Sequence, residues 1–280
     1  MLADVTPYLR CPVCHADLSL ADAVLGCMRG HRFDVARQGY VSLLPGNART
    51  GTADTAAMVS ARAEFLASGE YAPLTRAVAE AVGDAVADAD GAGCVVDAGG
   101  GTGHHLAGLL ERHPGTVGIA CDLSRYAVRR AARAHPRMGA VVADVWQGLP
   151  VRDGAAAAVL DVFAPRNAAE FHRVLRADGV LVVVTPLPQH LGEIVRGLGL
   201  LTVDEDKPRR LRDALDERFA REHSRDVRWT MRLSRRGVEV LVGMGPSAWH
   251  ATGVAATVAA LPEPVEVSAA VTVSTYRPEP

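Results

Sequence analysis

Lysine is almost missing from this chain: of its 30 basic side chains only Lys207 is a lysine, and alanine, valine, glycine and arginine dominate. That bias matches codon usage in very GC-rich bacterial genomes, so arginine content alone does not argue for a polyanionic ligand. The formal net charge of −2 excludes an indiscriminate nucleic-acid clamp and still allows a local basic patch. No apolar run approaches the roughly 20 residues needed to span a bilayer. The first residues, "MLADVTPYLR", lack a basic stretch followed by an apolar core, because Asp4 and Pro7 interrupt it. These absences predict a cytoplasmic protein whose thiols stay reduced. With 280 residues, 49% apolar and 22% charged, the chain is long enough for one full-sized domain and a small appendage.

Cysteine is scarce too, yet three of the five fall within the first 27 residues. Cys11-x2-Cys14-x12-Cys27-x3-His31 gives two close ligand pairs, each on a tight turn, and this spacing predicts tetrahedral zinc ligation. Disulfides would leave an odd cysteine and ignore His31. His15 is a conceivable substitute ligand, but its position next to Cys14 fits the geometry poorly. Cys94 and Cys121 lie inside apolar runs and read as small core residues.

Residues 1–44 are expected to form a metal-dependent module, since so short a segment has no core of its own. Residues 45–90 form a helical linker. Met58, Ala61, Phe65 and Leu66 recur at helical spacing; Gly69 breaks the pattern and Leu74, Val78, Ala81, Val82 and Val86 resume it. From about residue 91 to 280, strands alternate with helices, which predicts an α/β domain with a mostly parallel, Rossmann-like sheet covered on both faces. Two alternating strands, "VRWTMRLS" and "VEVSAAVTVSTYRP", flank a helix beginning near Val238 at the end of the chain.

"VVDAGGGTGHHL" is a strand, an acid and a glycine-rich turn opening a helix. Gly99, Gly101 and Gly103 let backbone fold tightly under a ligand. Alone, this loop could equally cradle the pyrophosphate of a dinucleotide. Asp97 would repel a pyrophosphate, however, and suits an amino acid's ammonium group. Asp122 ends the next strand, where a carboxylate takes both ribose hydroxyls, and Asp144 closes the third, where one accepts from an adenine amine. Together these features predict a site for S-adenosylmethionine.

The segments "CPVCHADL", "CMRGHRFDVARQGYVSLL", "ARAEFLASGEYAPL", "VVDAGGGTGHHL", "DLSRYAVRRAAR" and "FAPRNAAEFHRVLRADGVLVVVTPLPQHLGEI" resemble the RlmA/TlrB-type 23S rRNA (guanine-N1-)-methyltransferases, over residues 8 to about 195. "GGGTGHH" departs from the Cys-Gly-Glu-Gly-Tyr-Tyr-like turn of relatives. The resemblance implies a class I S-adenosylmethionine-dependent methyltransferase fold, with an antiparallel C-terminal strand and an N-terminal zinc domain. It implies one structural zinc on Cys11, Cys14, Cys27 and His31. It places Tyr71, Gly103, His104 and His190 on the cofactor, and makes the chain a homodimer. The implied substrate is hairpin 35 of 23S rRNA, with position 748 favoured over 745 and tylosin resistance as the consequence.

Guanine N1 carries a proton near neutral pH, and the base must leave its stack before an in-line transfer. "FAPRN", after the fourth strand, is where a base can be gripped: Phe163 can stack, and the carbonyls around Ala164 and Pro165 can accept. Asp161 is the nearest titratable group, but its place within the strand marks it as a structural residue. RNA contacts are expected from Arg10, Arg29, Arg32 and Arg37 in the zinc module. A second candidate is residues 207–236, with 11 Lys/Arg against 5 Asp/Glu and Arg209 and Arg210 among them, which also reads as a solvated helix laced with ion pairs. A small-molecule methyltransferase with a purely structural zinc module is the alternative function.

Overall fold

The computed structural model describes residues 1–45, 48, 51, 53–87, 93–197, 215, 217–245 and 254–279. The chain starts with a short helix, α1 (Leu2–Val5), and a 3-10 turn (Thr6–Tyr8), followed by a small antiparallel sheet of β1 (Leu18–Ala21), β2 (Val24–Cys27) and β3 (Arg32–Asp34). Next come β4 (Val41–Ser42), α2 (Ala56–Ala67) and α3 (Ala72–Ala87). The alternating region then supplies β5 (Cys94–Ala98), α4 (His104–Arg112), β6 (Val117–Asp122), α5 (Arg125–Ala131), β7 (Met138–Val142), β8 (Ala156–Val162), α6 (Ala168–Val174) and β9 (Leu175–Pro186). The last described elements are α7 (Gly192–Gly197), β10 (Phe219–Leu233), α8 (Arg235–Gly243), α9 (Val254–Ala259) and β11 (Val265–Pro278).

The large sheet has eight strands in the order β10-β11-β9-β8-β5-β6-β7-β4. Strands β4 to β9 pair in parallel, and β11 enters antiparallel between β9 and β10. A dinucleotide-binding sheet continues in parallel order past its switch point. The inserted antiparallel strand is what separates this fold from that one. The parallel strands are buried on both faces and read as continuous apolar runs; β5, "CVVDA", is buried at all five positions. One core lies under α2, α3, α4 and α8. The other, across the sheet, combines α6 with the N-terminal segment.

The N-terminal 44 residues are not one separable module. Val5 packs onto β7, where the missing side chain of Gly139 makes room for it; a Cβ there would stand 2.1 Å from Val5 Cγ2. Leu9 bridges Val151, and β4 extends the large sheet as its edge strand beside β7. Residues 10–35 carry the small three-stranded sheet, whose Leu18 and Leu25 join the same core, and ion pairs Arg10–Asp153 (2.9 Å) and Arg152–Asp17 (3.1 Å) add to that attachment. The reason is apolar content: Leu2, Val5, Leu9 and Val41 are fully or almost fully buried, and each such side chain contributes about 1.5–3 kcal/mol to the shared core.

Residues 45–90 are likewise more than a linker, because α3 packs on β8, β9, β10 and β11 and α2 packs on α8. The basic segment, offered as an RNA surface or a solvated helix, is from Phe219 to Leu233 an edge strand, so the strand expected at "VRWTMRLS" begins eight residues earlier. Its charged residues sit on the solvent side of that edge and discourage further strand pairing. Arg209 and Arg210 lie outside the described residues. No helix among the described residues is long and apolar enough to cross a membrane.

Candidate functional site

Two sites emerge. In the ribbon, the ligand atoms of Cys11, Cys14, Cys27 and His31 all lie within 4.8 Å of one another. Cys14 Sγ is 3.6 Å from Cys27 Sγ, and His31 Nδ1 is 3.4 Å from Cys27 Sγ and 3.6 Å from Cys11 Sγ. A tetrahedron built on ordinary Zn–S and Zn–N bonds has edges of about 3.5–3.8 Å. The spacing is therefore that of a zinc site and far too long for a disulfide. Burial opposes ionisation of Cys27, but backbone hydrogen bonds from His31 and Arg29 and the His31 side chain outweigh it and bring the thiol down to about 6. His15 is exposed and stands outside the cluster.

The second site is a cavity of about 420 Å³ at the carboxyl ends of β5, β8 and β9, within the size range of small-molecule sites. Its floor is the glycine turn. Gly99 adopts φ +74°, and a Cβ there would stand 2.6 Å from Ala164 Cβ on the facing loop, so only glycine lets the two loops meet. Gly103 (φ +76°) caps α4 and packs against Ala131 and Met138. It faces the core, so its place in the turn is structural, while its neighbour His104 lines the cavity.

Asp97 lies beneath the turn, 2% exposed, with its carboxyl against Gly100. Burial, reinforced by Asp122 and Asp161, pushes it up to about 7. Asp122 sits beside the turn: Gly101 N–H donates to Oδ2 (2.9 Å) and Ser124 N–H to Oδ1 (2.8 Å). Burial raises its pKa against the pull of those two amides. Asp144 departs from expectation. It lies beyond the end of β7, accepts from Trp146 N–H (3.0 Å) and Gln147 Nε2 (2.9 Å), and borders a separate depression with Arg10 and His15 of the ribbon. It does not line the large cavity, because the turn after β7 folds its carboxylate back on itself.

The upper wall is aromatic. Tyr71 is held edge-on between Phe65 (5.2 Å) and Trp229 (5.6 Å), and its hydroxyl is 3.3 Å from His190 Nε2. His190 Nδ1 accepts from Ala270 N–H (3.1 Å), and burial lowers the ring to about 4. A neutral ring accepting at Nδ1 carries its proton on Nε2, so it donates to Tyr71 and leaves the Tyr71 hydroxyl proton for another acceptor. Phe163 stacks on His190 at 5.8 Å and 30° and remains 42% exposed.

Asp161 has the structural place expected of a strand residue. Fully buried, it pairs with Arg166 Nε at 2.8 Å and accepts from Ala164 N–H at 3.1 Å. It braces the "FAPRN" turn, in which Phe163 adopts the strained left-handed φ of +56°. Its carboxylate is committed to that turn and does not face the cavity. Arg10, expected on RNA, is committed to Asp153, whereas Arg29, Arg32 and Arg37 are exposed.

A family model described as "RlmA, N-terminal" matches residues 9–51, and a methyltransferase-domain model matches residues 96–183. The 23S rRNA (guanine(748)-N(1))-methyltransferase of Streptomyces fradiae is 50% identical over 100% of both chains. A protein of Micromonospora griseorubida, provisionally named 23S rRNA (guanine-N(1)-)-methyltransferase, is 51% identical over 99% of this chain and 100% of its own. YxjB of Bacillus subtilis, provisionally given the same activity, is 33% identical over 86% of this chain and 87% of its own.

The chain belongs to the RlmA-type 23S rRNA (guanine-N1-)-methyltransferase family. It is a class I S-adenosylmethionine-dependent methyltransferase with an N-terminal zinc ribbon. Within this family member, Tyr71, Gly99, Gly101, His104, Phe163 and His190 converge on one cavity, Asp97 and Asp122 flank its floor, and Gly103, Asp144 and Asp161 stand outside it. Sequence reasoning missed Arg62, His105 and Met244 on the cavity wall. Arg62 left a signal: it falls at i+4 from Met58 and i−4 from Leu66, a charge on an apolar helical stripe.

Proposed function

We propose that this protein methylates N1 of guanine 748 in hairpin 35 of 23S rRNA, works as a homodimer in the cytoplasm, and so confers resistance to tylosin-type macrolides. The observation that carries the choice of guanine is the 50% identity to the Streptomyces fradiae enzyme across the full length of both chains. The same substrate explains a protein that joins an exposed, arginine-bearing ribbon to a methyltransferase cavity.

S-adenosylmethionine supplies an electrophilic methyl group on a sulfonium. In this reading the backbone of Gly99–Gly101 cradles it, Asp97 offers a carboxylate to its ammonium, and Asp122 accepts from its ribose hydroxyls. Tyr71, His104 and His190 complete the wall. Phe163, stacked on His190, provides the platform for an extruded guanine, a role aromatic side chains serve for unstacked bases. Carbonyls of Ala164 and Pro165 accept from the Watson–Crick edge and fix its angle of approach. With S-adenosylmethionine bound, its methyl group would pass to the N1 that these residues hold in line, leaving a neutral thioether, and the N1 proton would leave to water. Asp144 recognises adenine only if the turn after β7 rearranges on binding.

Salt dependence tests the RNA reading. Binding of a hairpin 35 fragment should weaken with a log–log slope of about −0.7 to −0.9 per phosphate neutralised. Arg29→Ala with Arg32→Ala should flatten that slope by one or two units and leave S-adenosylmethionine affinity unchanged. Arg209→Ala with Arg210→Ala is the parallel test for the second basic segment. No methylation of the fragment at low salt, together with binding that ignores both salt and the ribbon arginines, would refute an RNA substrate and favour a small-molecule acceptor.

A further inference from the structure

A methionine-derived ligand brings a carboxylate as well as an ammonium, and the acids under the glycine turn repel the former. A cation is required on another wall. The three histidines lining the cavity cannot supply one: burial lowers His104, takes His105 to about 3 and takes His190 to about 4. Among the described residues that line the cavity, Arg62 is the one arginine or lysine.

Arg62 projects from α2 over the middle of the turn. Its Nη1 would be 3.4 Å from a Cβ placed on Gly101. That atom pairs with the Asp54 carboxylate, and Nη2 donates to the Met244 carbonyl at the end of α8 (3.0 Å). Asp54 is itself fixed, because its backbone carbonyl accepts from Ser124 Oγ at 2.7 Å, two residues after Asp122 at the end of β6. The guanidinium is thus held from two sides with its plane set, while an arginine offers five N–H donors and these contacts engage only part of them. A planar, pre-positioned guanidinium is the side chain best matched to a carboxylate.

We infer that Arg62 binds the carboxylate of the cofactor's methionine moiety. The inference rests on the cavity being the S-adenosylmethionine site. It gives α2, outside the alternating domain, a direct part in holding the ligand. It also gives the Asp54–Arg62–Met244 bridge a function beyond packing: orienting the guanidinium before the ligand arrives.

The test compares ligands with and without that carboxylate. Calorimetry would measure S-adenosylhomocysteine and 5′-methylthioadenosine, which lacks the amino-acid portion, on full-length wild type, Arg62→Met and Arg62→Lys. Methionine keeps the aliphatic stem on the turn. The expected result for Arg62→Met is a loss of about 10- to 100-fold for S-adenosylhomocysteine, unchanged 5′-methylthioadenosine affinity, and partial rescue in Arg62→Lys. Equal losses for both ligands would make Arg62 a strut between α2 and α8, and undiminished S-adenosylhomocysteine affinity would remove it from the site; either result overturns the inference. Wild type binding neither ligand would instead refute the cavity as the cofactor site.

Discussion

Asp161→Ala separates a bracing carboxylate from a chemical one. The wild-type pair is asymmetric in burial: the Asp161 side chain is 0% exposed and that of Arg166 15%. Removing the acid strands a nearly buried guanidinium and deletes the acceptor for Ala164 N–H. Breaking a buried pair from one side costs about 3–5 kcal/mol, and residual solvation of Arg166 places the expectation near the lower end. With a urea m-value of about 1–3 kcal/mol/M, the unfolding midpoint should fall by roughly 1 M or more. Methyl transfer should fall too, because Phe163 loses its support in the left-handed conformation. Asp161→Ala with Arg166→Met, which removes the stranded charge, should recover most of the stability, giving a strong coupling between the two positions. Urea unfolding followed by circular dichroism reads all three proteins. If Asp161→Ala unfolds within about 0.5 kcal/mol of wild type while methyl transfer is abolished, the bracing argument is wrong and the carboxylate acts on the reacting atoms.

Zinc removal by a chelator, or Cys27→Ala, should unfold residues 10–35 and leave α1 and β4 paired with β7, so S-adenosylmethionine affinity persists; metal analysis showing full zinc in Cys27→Ala would refute the four-ligand set. Asp97 is raised by burial from an unfolded value near 3.9 to about 7, so its contribution to stability is complete below about pH 4 and is lost as pH rises through 7. Urea midpoints of Asp97→Asn and wild type should therefore diverge in the variant's favour between pH 4 and 8, and parallel curves would contradict the raised pKa. Asp122→Ala should weaken S-adenosylmethionine by about 1.5–3 kcal/mol in calorimetry; unchanged affinity in a folded variant would confine Asp122 to its bonds with Gly101 and Ser124.

The zinc ligands and the glycine turn were legible because their chemistry is local. A four-residue ligand spacing, or a glycine forced by a left-handed φ, is written in consecutive residues. The alternating strands were legible for the same reason, through continuous apolar runs such as "CVVDA" and "VLVVV". What escaped depends on contacts across the chain. Leu2, Val5 and Val41 give no sign in sequence that they join β7 and bind the ribbon to the main sheet. Asp144 matches the expected pattern, yet its turn closes on Trp146 and Gln147. Asp161 was legible as structural from its place within a strand, but its partner, Arg166 five residues on, was not. The alternation from Val227 onward was legible as a strand, whereas Phe219 to Asp226 was not, because edge strands tolerate charge at most positions, which blurs the period of two.

Mapping the methylated nucleotide tests the central claim most directly. Undermodified 23S rRNA would be incubated with the purified protein and labelled S-adenosylmethionine. Primer extension then detects N1-methylguanine, since a methyl on the Watson–Crick edge stops the reverse transcriptase. The account predicts one new stop, at guanine 748 in hairpin 35, with label recovered as N1-methylguanine and both lost in Phe163→Ala. Label at another nucleotide or another guanine atom, or no transfer to RNA by a protein that binds S-adenosylmethionine, would contradict it.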